Sequence, residues 1–297
     1  MGRKRSKKSL STELPVYNYL DQFTHQQWRT NRAELDRFSN VPYAKQKMIF
    51  FTGSSHVDHE NFRIEIQEQF LGGTDRKNQF LGFGSSWGYS GGGILGQRGV
   101  RVGNHIVEQA KAISRCKDYT GMVLVVIIGT NDAASVKTDN DMARFKRCFE
   151  AFCLDLLKVP GLYLLPCALL PRRLQKRRPD RVYNMYPCNQ AIRDVCKKVR
   201  SMSEFRNRIR FSDIDRDVSE VKYLPDQFSP SIVVPTKIPL VGMIKERDNV
   251  HLTAEGYSKM VGSLLNSVNL IPKTEFGFHA GDRKPKKFQS KRAKSKN

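Results

Sequence analysis

The run Met122-Val123-Leu124-Val125-Val126-Ile127-Ile128 constrains the fold more than any other segment of this chain. It is dominated by β-branched residues, it does not alternate with polar ones, and it stops at Gly129. A strand with one wet face reads apolar-polar-apolar, so an unbroken run predicts a strand covered on both faces, as in a parallel sheet sandwiched by helices. Lys47-Met48-Ile49-Phe50-Phe51-Thr52 before Gly53 has the same character, and Leu162-Tyr163-Leu164-Leu165-Pro166 and Ile209-Arg210-Phe211-Ser212-Asp213 are shorter candidates. Pro166 suits a strand terminus, because proline cannot donate to a ladder.

Between these runs the apolar period changes to that of helices. Met142, Phe145, Phe149, Phe152, Cys153, Leu156 and Leu157 recur at three and four residues across 141–158, and Pro160 closes the segment. Tyr257, Met260, Val261, Leu264, Leu265 and Val268 repeat the pattern after Thr253, a good N-cap residue. Strands alternating with helices predict an α/β, three-layer, flavodoxin-like doubly wound parallel sheet. In that architecture the loops at the carboxyl ends of the strands build the site.

The apolar-periodic segments run from about 47 to 272, which predicts one domain within the 297 residues. Residues 12–46, with Tyr17, Leu20, Phe23, Trp28 and Leu35 among polar neighbours, read as a helical extension. Residues 1–11 and 273–297 read as solvated basic tails. Lys and Arg outnumber Asp and Glu by 51 to 29, and the excess is concentrated at the ends. A further basic cluster, Arg172, Arg173, Lys176, Arg177 and Arg178, is bracketed by Pro171 and Pro179, with Arg181 just beyond, and reads as a loop able to contact the phosphates of RNA or DNA. Such charge supplies affinity without sequence specificity. There is neither a run of ~20 apolar residues nor a secretory leader, so a soluble, intracellular chain is expected, cytoplasmic or nuclear. The six cysteines, Cys116, Cys148, Cys153, Cys167, Cys188 and Cys196, lack C-x-x-C spacing and read as reduced thiols.

Three polar motifs fall where the architecture puts a site. Gly53-Ser54-Ser55-His56 follows the first strand, Gly129-Thr130-Asn131-Asp132 follows the strongest, and Asp248-Asn249-Val250-His251 precedes the last helix. With Gly88-Tyr89-Ser90-Gly91-Gly92-Gly93, these motifs in this order resemble the SGNH, or GDSL-like, hydrolases over roughly 48–270. The resemblance implies Ser55 as nucleophile, Asp248 and His251 as its acid and base, and Ser55, Gly91 and Asn131 as oxyanion donors. It also implies an ester substrate, a Ser55 acyl-enzyme and no metal or organic cofactor. The residue types suit the roles: a serine hydroxyl needs a base to take its proton, and a carboxylate three residues before the histidine can reach the other ring nitrogen. The family usually has Asp before the nucleophile, and here that position is Ser54.

Two alternatives stand beside this reading. Oskar-type and retrotransposon-associated SGNH domains, which the basic tails bring to mind, point to a catalytically silent RNA- or DNA-binding protein on the same fold. Ser54-Ser55-His56-Val57-Asp58-His59 is also similar, without its first histidine, to the H-x-H-x-D-H zinc motif of metallo-β-lactamase-fold hydrolases. A catalytic zinc needs three protein ligands, and no comparable second motif follows.

Overall fold

A computed structural model describes residues 48–66, 68–69, 82–89, 93–115, 121–173, 182–226, 229, 231–246 and 248–271. The expected tails and helical extension, Cys116, and Lys176, Arg177, Arg178 and Arg181 of the basic cluster lie outside the described residues. The chain runs β1 (Met48–Ser54), α1 (Ser55–Asp58), α2 (Glu60–Ile66), β2 (Gly82–Tyr89), α3 (Gly96–Ser114), β3 (Met122–Ile127), α4 (Thr130–Ala133), α5 (Asp139–Leu157) and β4 (Leu162–Pro166). It continues through β5 (Arg172–Arg173), β6 (Val182–Tyr183), α6 (Tyr186–Ser201), the antiparallel hairpin β7 (Ser219–Pro225) and β8 (Val233–Pro239), and α7 (Ala254–Asn269).

The main sheet has the order β2-β1-β3-β4 and every pair in it is parallel. The strand expected at 209–213 lies along the outer edge of β4, but as two isolated parallel bridges, Leu164 to Ile209 and Cys167 to Ser212, rather than a continuous ladder. Main-chain bonds from Leu164 N to Arg208 O (2.8 Å) and from Ser212 N to Pro166 O (2.9 Å) hold it there. With residues 209–213 counted as the edge beyond β4, the order matches the doubly wound 2-1-3-4-5, its fifth place taken by that edge and not by the β5–β6 ribbon.

The two faces of the sheet explain the unbroken apolar runs. Successive strand residues point to opposite faces, so Phe50, Leu124, Val126 and Leu164 pack beneath α3, α5 and α6. Ile49, Phe51, Val123, Val125 and Leu165 pack against Phe62 and Ile66 of α2 and Tyr257, Met260, Val261 and Leu264 of α7. Every residue of β3 is buried to 1 % exposure or less. Helix α5 starts at Asp139 because Thr138 and Asp141 form a reciprocal capping box, and the Thr253 hydroxyl accepts from Gly256 N at the start of α7.

Gly53 has φ 148°, and a Cβ there would sit 2.0 Å from Ile127 O. A side chain would push β1 away from β3 two residues before Ser55. The register pairs Ser54 with Tyr89 and Gly53 with both Gly88 and Ile127, so the carboxyl ends of β1, β2 and β3 lie side by side.

Among the described cysteines, Cys153, Cys167, Cys188 and Cys196 are buried and Cys148 is half-buried, all as free thiols. Burial pushes Cys188 and Cys196 up to about 12. Among the described residues, no helix is long and apolar enough to cross a membrane.

Candidate active site at the carboxyl ends of the strands

Ser55 opens α1 directly after β1, and Asp248 and His251 lie on the loop ahead of α7. That loop is closed across its base by the Ile244–Leu252 bridge, by Lys245 N to His251 O (3.1 Å) and by Thr253 N to Met243 O (2.9 Å). Inside it, Asp248 Oδ1 accepts from Val250 N (2.8 Å) and His251 N (3.2 Å), and Oδ2 lies 2.7 Å from His251 Nδ1. On the far side of the ring, His251 Nε2 lies 3.0 Å from Ser55 Oγ.

Donor chemistry orients the chain. Burial by itself would raise the Asp248 carboxyl, but hydrogen bonds from the His251 ring and from the two main-chain N–H groups outweigh it and bring Asp248 down to about 2. An ionised carboxylate can only accept, so the proton of a neutral His251 sits on Nδ1 and the Nε2 lone pair faces the Ser55 hydroxyl. His251 and Asp248 side chains keep 27 % and 28 % of their surface, which leaves the ring open to a substrate.

Asn131 and Asp132 belong to the one-turn helix α4, which follows the left-handed Gly129 (φ 113°). Asp132 turns inward and accepts from Ile94 N (2.7 Å) and Leu95 N (2.9 Å), tying α4 to the segment that leads into α3. A Cβ at Gly93 would meet its carboxylate at 2.5 Å. Asn131 Oδ1 accepts from Arg172 Nη1 at 3.0 Å. Gly91 lies outside the described residues.

Two of the residues expected to contact nucleic acid, Arg172 and Arg173, lie against the site. Arg173 is 7 % exposed; its N–H donates to Asn249 O (2.8 Å) and its guanidinium lies 3.5 Å from Ile244 O. It pins the Asp248–His251 loop rather than facing solvent. Arg172 is half-buried and turned toward Asn131. The cause is local: Arg172 and Arg173 pair with Tyr183 and Val182 as a short ribbon, which draws the start of the basic cluster into the fold.

His56, His59, Lys245 and Tyr257 also reach the site, and no local motif announces them together. His56 is fully buried, with Nδ1 3.3 Å from the Tyr257 hydroxyl and its ring 5.5 Å from that of His251. Burial, then repulsion from His251 and His59, hold His56 down at about 3. The His59 ring stacks on Tyr257 at 4.7 Å, and its Nε2 lies 2.8 Å from Lys245 Nζ. Burial, then the Lys245 ammonium, lower His59. This geometry opposes the zinc alternative, because a lysine Nζ stands 2.8 Å from His59 Nε2, where a metal would bind, and the exposed Asp58 faces Arg63 at 3.9 Å.

No protein-family model matches the chain, and no curated protein sequence does. Among solved structures it is similar to a protein provisionally described as a platelet activating factor from Streptococcus pneumonia, with TM-score 0.47, 14 % identity, and coverage of 84 % of this chain and 96 % of that one. It is similar also to a provisionally described acylhydrolase from Bacteroides fragilis NCTC 9343, with TM-score 0.39, 15 % identity, and coverage of 82 % and 98 %. A gut microbial diltiazem-metabolizing enzyme has TM-score 0.37 and 16 % identity, covering 78 % of this chain and 48 % of its own.

Proposed function

We propose that the protein is a serine ester hydrolase in which Ser55 is the nucleophile, His251 the general base and Asp248 the group that holds the base. The observation that carries this reading is the continuous chain from Asp248 Oδ2 to His251 Nδ1 (2.7 Å) and from His251 Nε2 to Ser55 Oγ (3.0 Å). In the first step Ser55 Oγ attacks the acyl carbon as its proton passes to His251 Nε2, and Asp248 stabilises the imidazolium that results. The carbonyl oxygen takes up the negative charge. The Ser55 N–H and the Asn131 amide are the donors for it, joined by the Gly91 N–H on the strength of the motif. His251 then protonates the departing alcohol. Water, activated by the same ring, releases the acid from the Ser55 ester.

Purified protein treated with a fluorophosphonate probe tests this without a choice of substrate. Wild type is labelled and Ser55→Ala is not. Folded wild type that takes no label would overturn the reading and favour a binding protein on a hydrolase fold. The net charge of +22 supports nucleic-acid binding as a second property, carried by the segments 1–11 and 273–297. Its signature is affinity for RNA or DNA that falls steeply with added salt and is lost when both segments are deleted.

A further inference from the structure

We infer that Arg172 is a positioning residue of the proposed active site: it fixes which way the Asn131 amide faces, so that the amide N–H, and not its oxygen, is presented to the oxyanion. The inference rests on the reading of Ser55 as a nucleophile.

A side-chain amide has two faces of nearly equal shape, one a donor and one an acceptor, and a 180° flip exchanges them. An oxyanion hole works with the donor face alone. The flipped amide would set a carbonyl oxygen against the developing charge. At Asn131 the choice is made by Arg172, whose Nη1 lies 3.0 Å from Oδ1. A guanidinium donates and never accepts, and it does not lose its proton in the working pH range. It therefore tolerates one of the two flips only.

Arg172 is itself held for this task. Its guanidinium carbon lies 5.4 Å from the centre of the Tyr183 ring, and Tyr183 is its direct cross-strand partner in the β5–β6 ribbon. The next residue along β5 donates through Arg173 N to Asn249 O at 2.8 Å, inside the Asp248–His251 loop. One dipeptide thus connects the loop that carries the base to the side chain that carries an oxyanion donor. Nor does stability explain the side chain, because Arg172 Nε is buried without a hydrogen-bond partner. A buried, unpaired guanidinium N–H is a cost to folding.

The test measures the fluorophosphonate labelling rate and the steady-state hydrolysis of p-nitrophenyl acetate for wild type, Arg172→Gln, Asn131→Ala and the double variant. Gln is chosen because its own amide can donate or accept, so it does not enforce a flip. Asn131→Ala is expected to slow kcat by about 10²–10³, as for the loss of one oxyanion donor. Arg172→Gln is expected to lower kcat and the labelling rate about tenfold or more, with KM nearly unchanged. In the Asn131→Ala background the same change should have almost no further effect, because residues that act through one another are not additive.

If Arg172→Gln loses its secondary structure by circular dichroism, Arg172→Met carries the same test. It keeps an unbranched stem against Tyr183 but can donate to neither face of the amide, and its loss of rate should likewise vanish in the Asn131→Ala background. Labelled wild type with an Arg172 variant that reacts at the same rate would overturn the role of Arg172 while leaving the hydrolase reading intact. So would a fall in rate that multiplies fully with that of Asn131→Ala. Folded wild type that takes no label would overturn both.

Discussion

His56 should make this protein sensitive to acid. The ring is fully buried beside His251 and Tyr257, and its Nε2 has no hydrogen-bond partner. Protonation would place a charge and a second N–H donor where neither is compensated. The unfolded chain takes up this proton near the ordinary value of 6.5, whereas the folded chain holds it off until about 3. Between those values the unfolded state binds more protons than the folded one, so stability rises with pH. The contribution of His56 is thus fully present above the ordinary histidine value and is lost as pH falls below it. Integrated from about pH 7 to about pH 5, the difference amounts to roughly 2 kcal/mol.

The assay is urea unfolding of wild type and His56→Asn at both pH values. Asn cannot titrate, and its amide can still meet the Tyr257 hydroxyl. His59 is lowered too, but it is present in both proteins and cancels in the comparison. Wild type should lose about 2 kcal/mol more than the variant on acidification. Equal losses would mean that the buried ring reaches solvent or gains a partner when it is charged, and the reasoning would fail.

Other consequences follow from single contacts. Ser54 is 1 % exposed and its hydroxyl has no partner, so Ser54→Ala should leave Ser55 labelling unchanged and alter stability by no more than about +1 kcal/mol in the stabilising direction. A large loss of labelling would mean that Ser54 does work that its surroundings do not reveal. Lys237 pairs with the fully buried Asp215, which also accepts from Asn189 Nδ2 at 3.3 Å, while Asn189 holds both main-chain groups of Leu169. Lys237→Met strands a buried carboxylate and should cost about 3 kcal/mol or more in denaturant unfolding. Adding Asp215→Asn should restore much of that, and a double variant as unstable as the single one would count against the charge argument.

Much of the fold was legible because it is written in short-range pattern. The runs at Met48–Phe51 and Met122–Ile128 lack alternation for the reason the structure makes visible, since both faces of the sheet are covered. The stripe on α7 begins after Thr253, the N-cap its sequence offers, and that on α5 after the N-cap Thr138. Strand β2 carried no such pattern. Gly82-Phe83-Gly84-Ser85-Ser86-Trp87-Gly88-Tyr89 is rich in residues that weaken strands, and it becomes one by main-chain pairing with β1. Helix α3 was obscured by Gly96, Gly99 and Gly103, each a poor helix former, although Val102, Ile106, Ala110 and Ile113 bury one face of it.

The sequence by itself determined the doubly wound α/β layer, and it placed Ser55, Asn131, Asp248 and His251 at the ends of the elements that carry them. Those are facts of order and period along the chain, and they need no knowledge of what lies across space. Only the tertiary structure set Arg172 against Asn131 and sank Arg173 beneath the Asp248–His251 loop. It also brought the His56 and His59 rings beside His251, and Tyr257 and Lys245 against His59. A charged side chain reads the same in a sequence whether it meets water or a buried amide, and the difference is set by desolvation and by partners about 40 to 200 residues away along the chain.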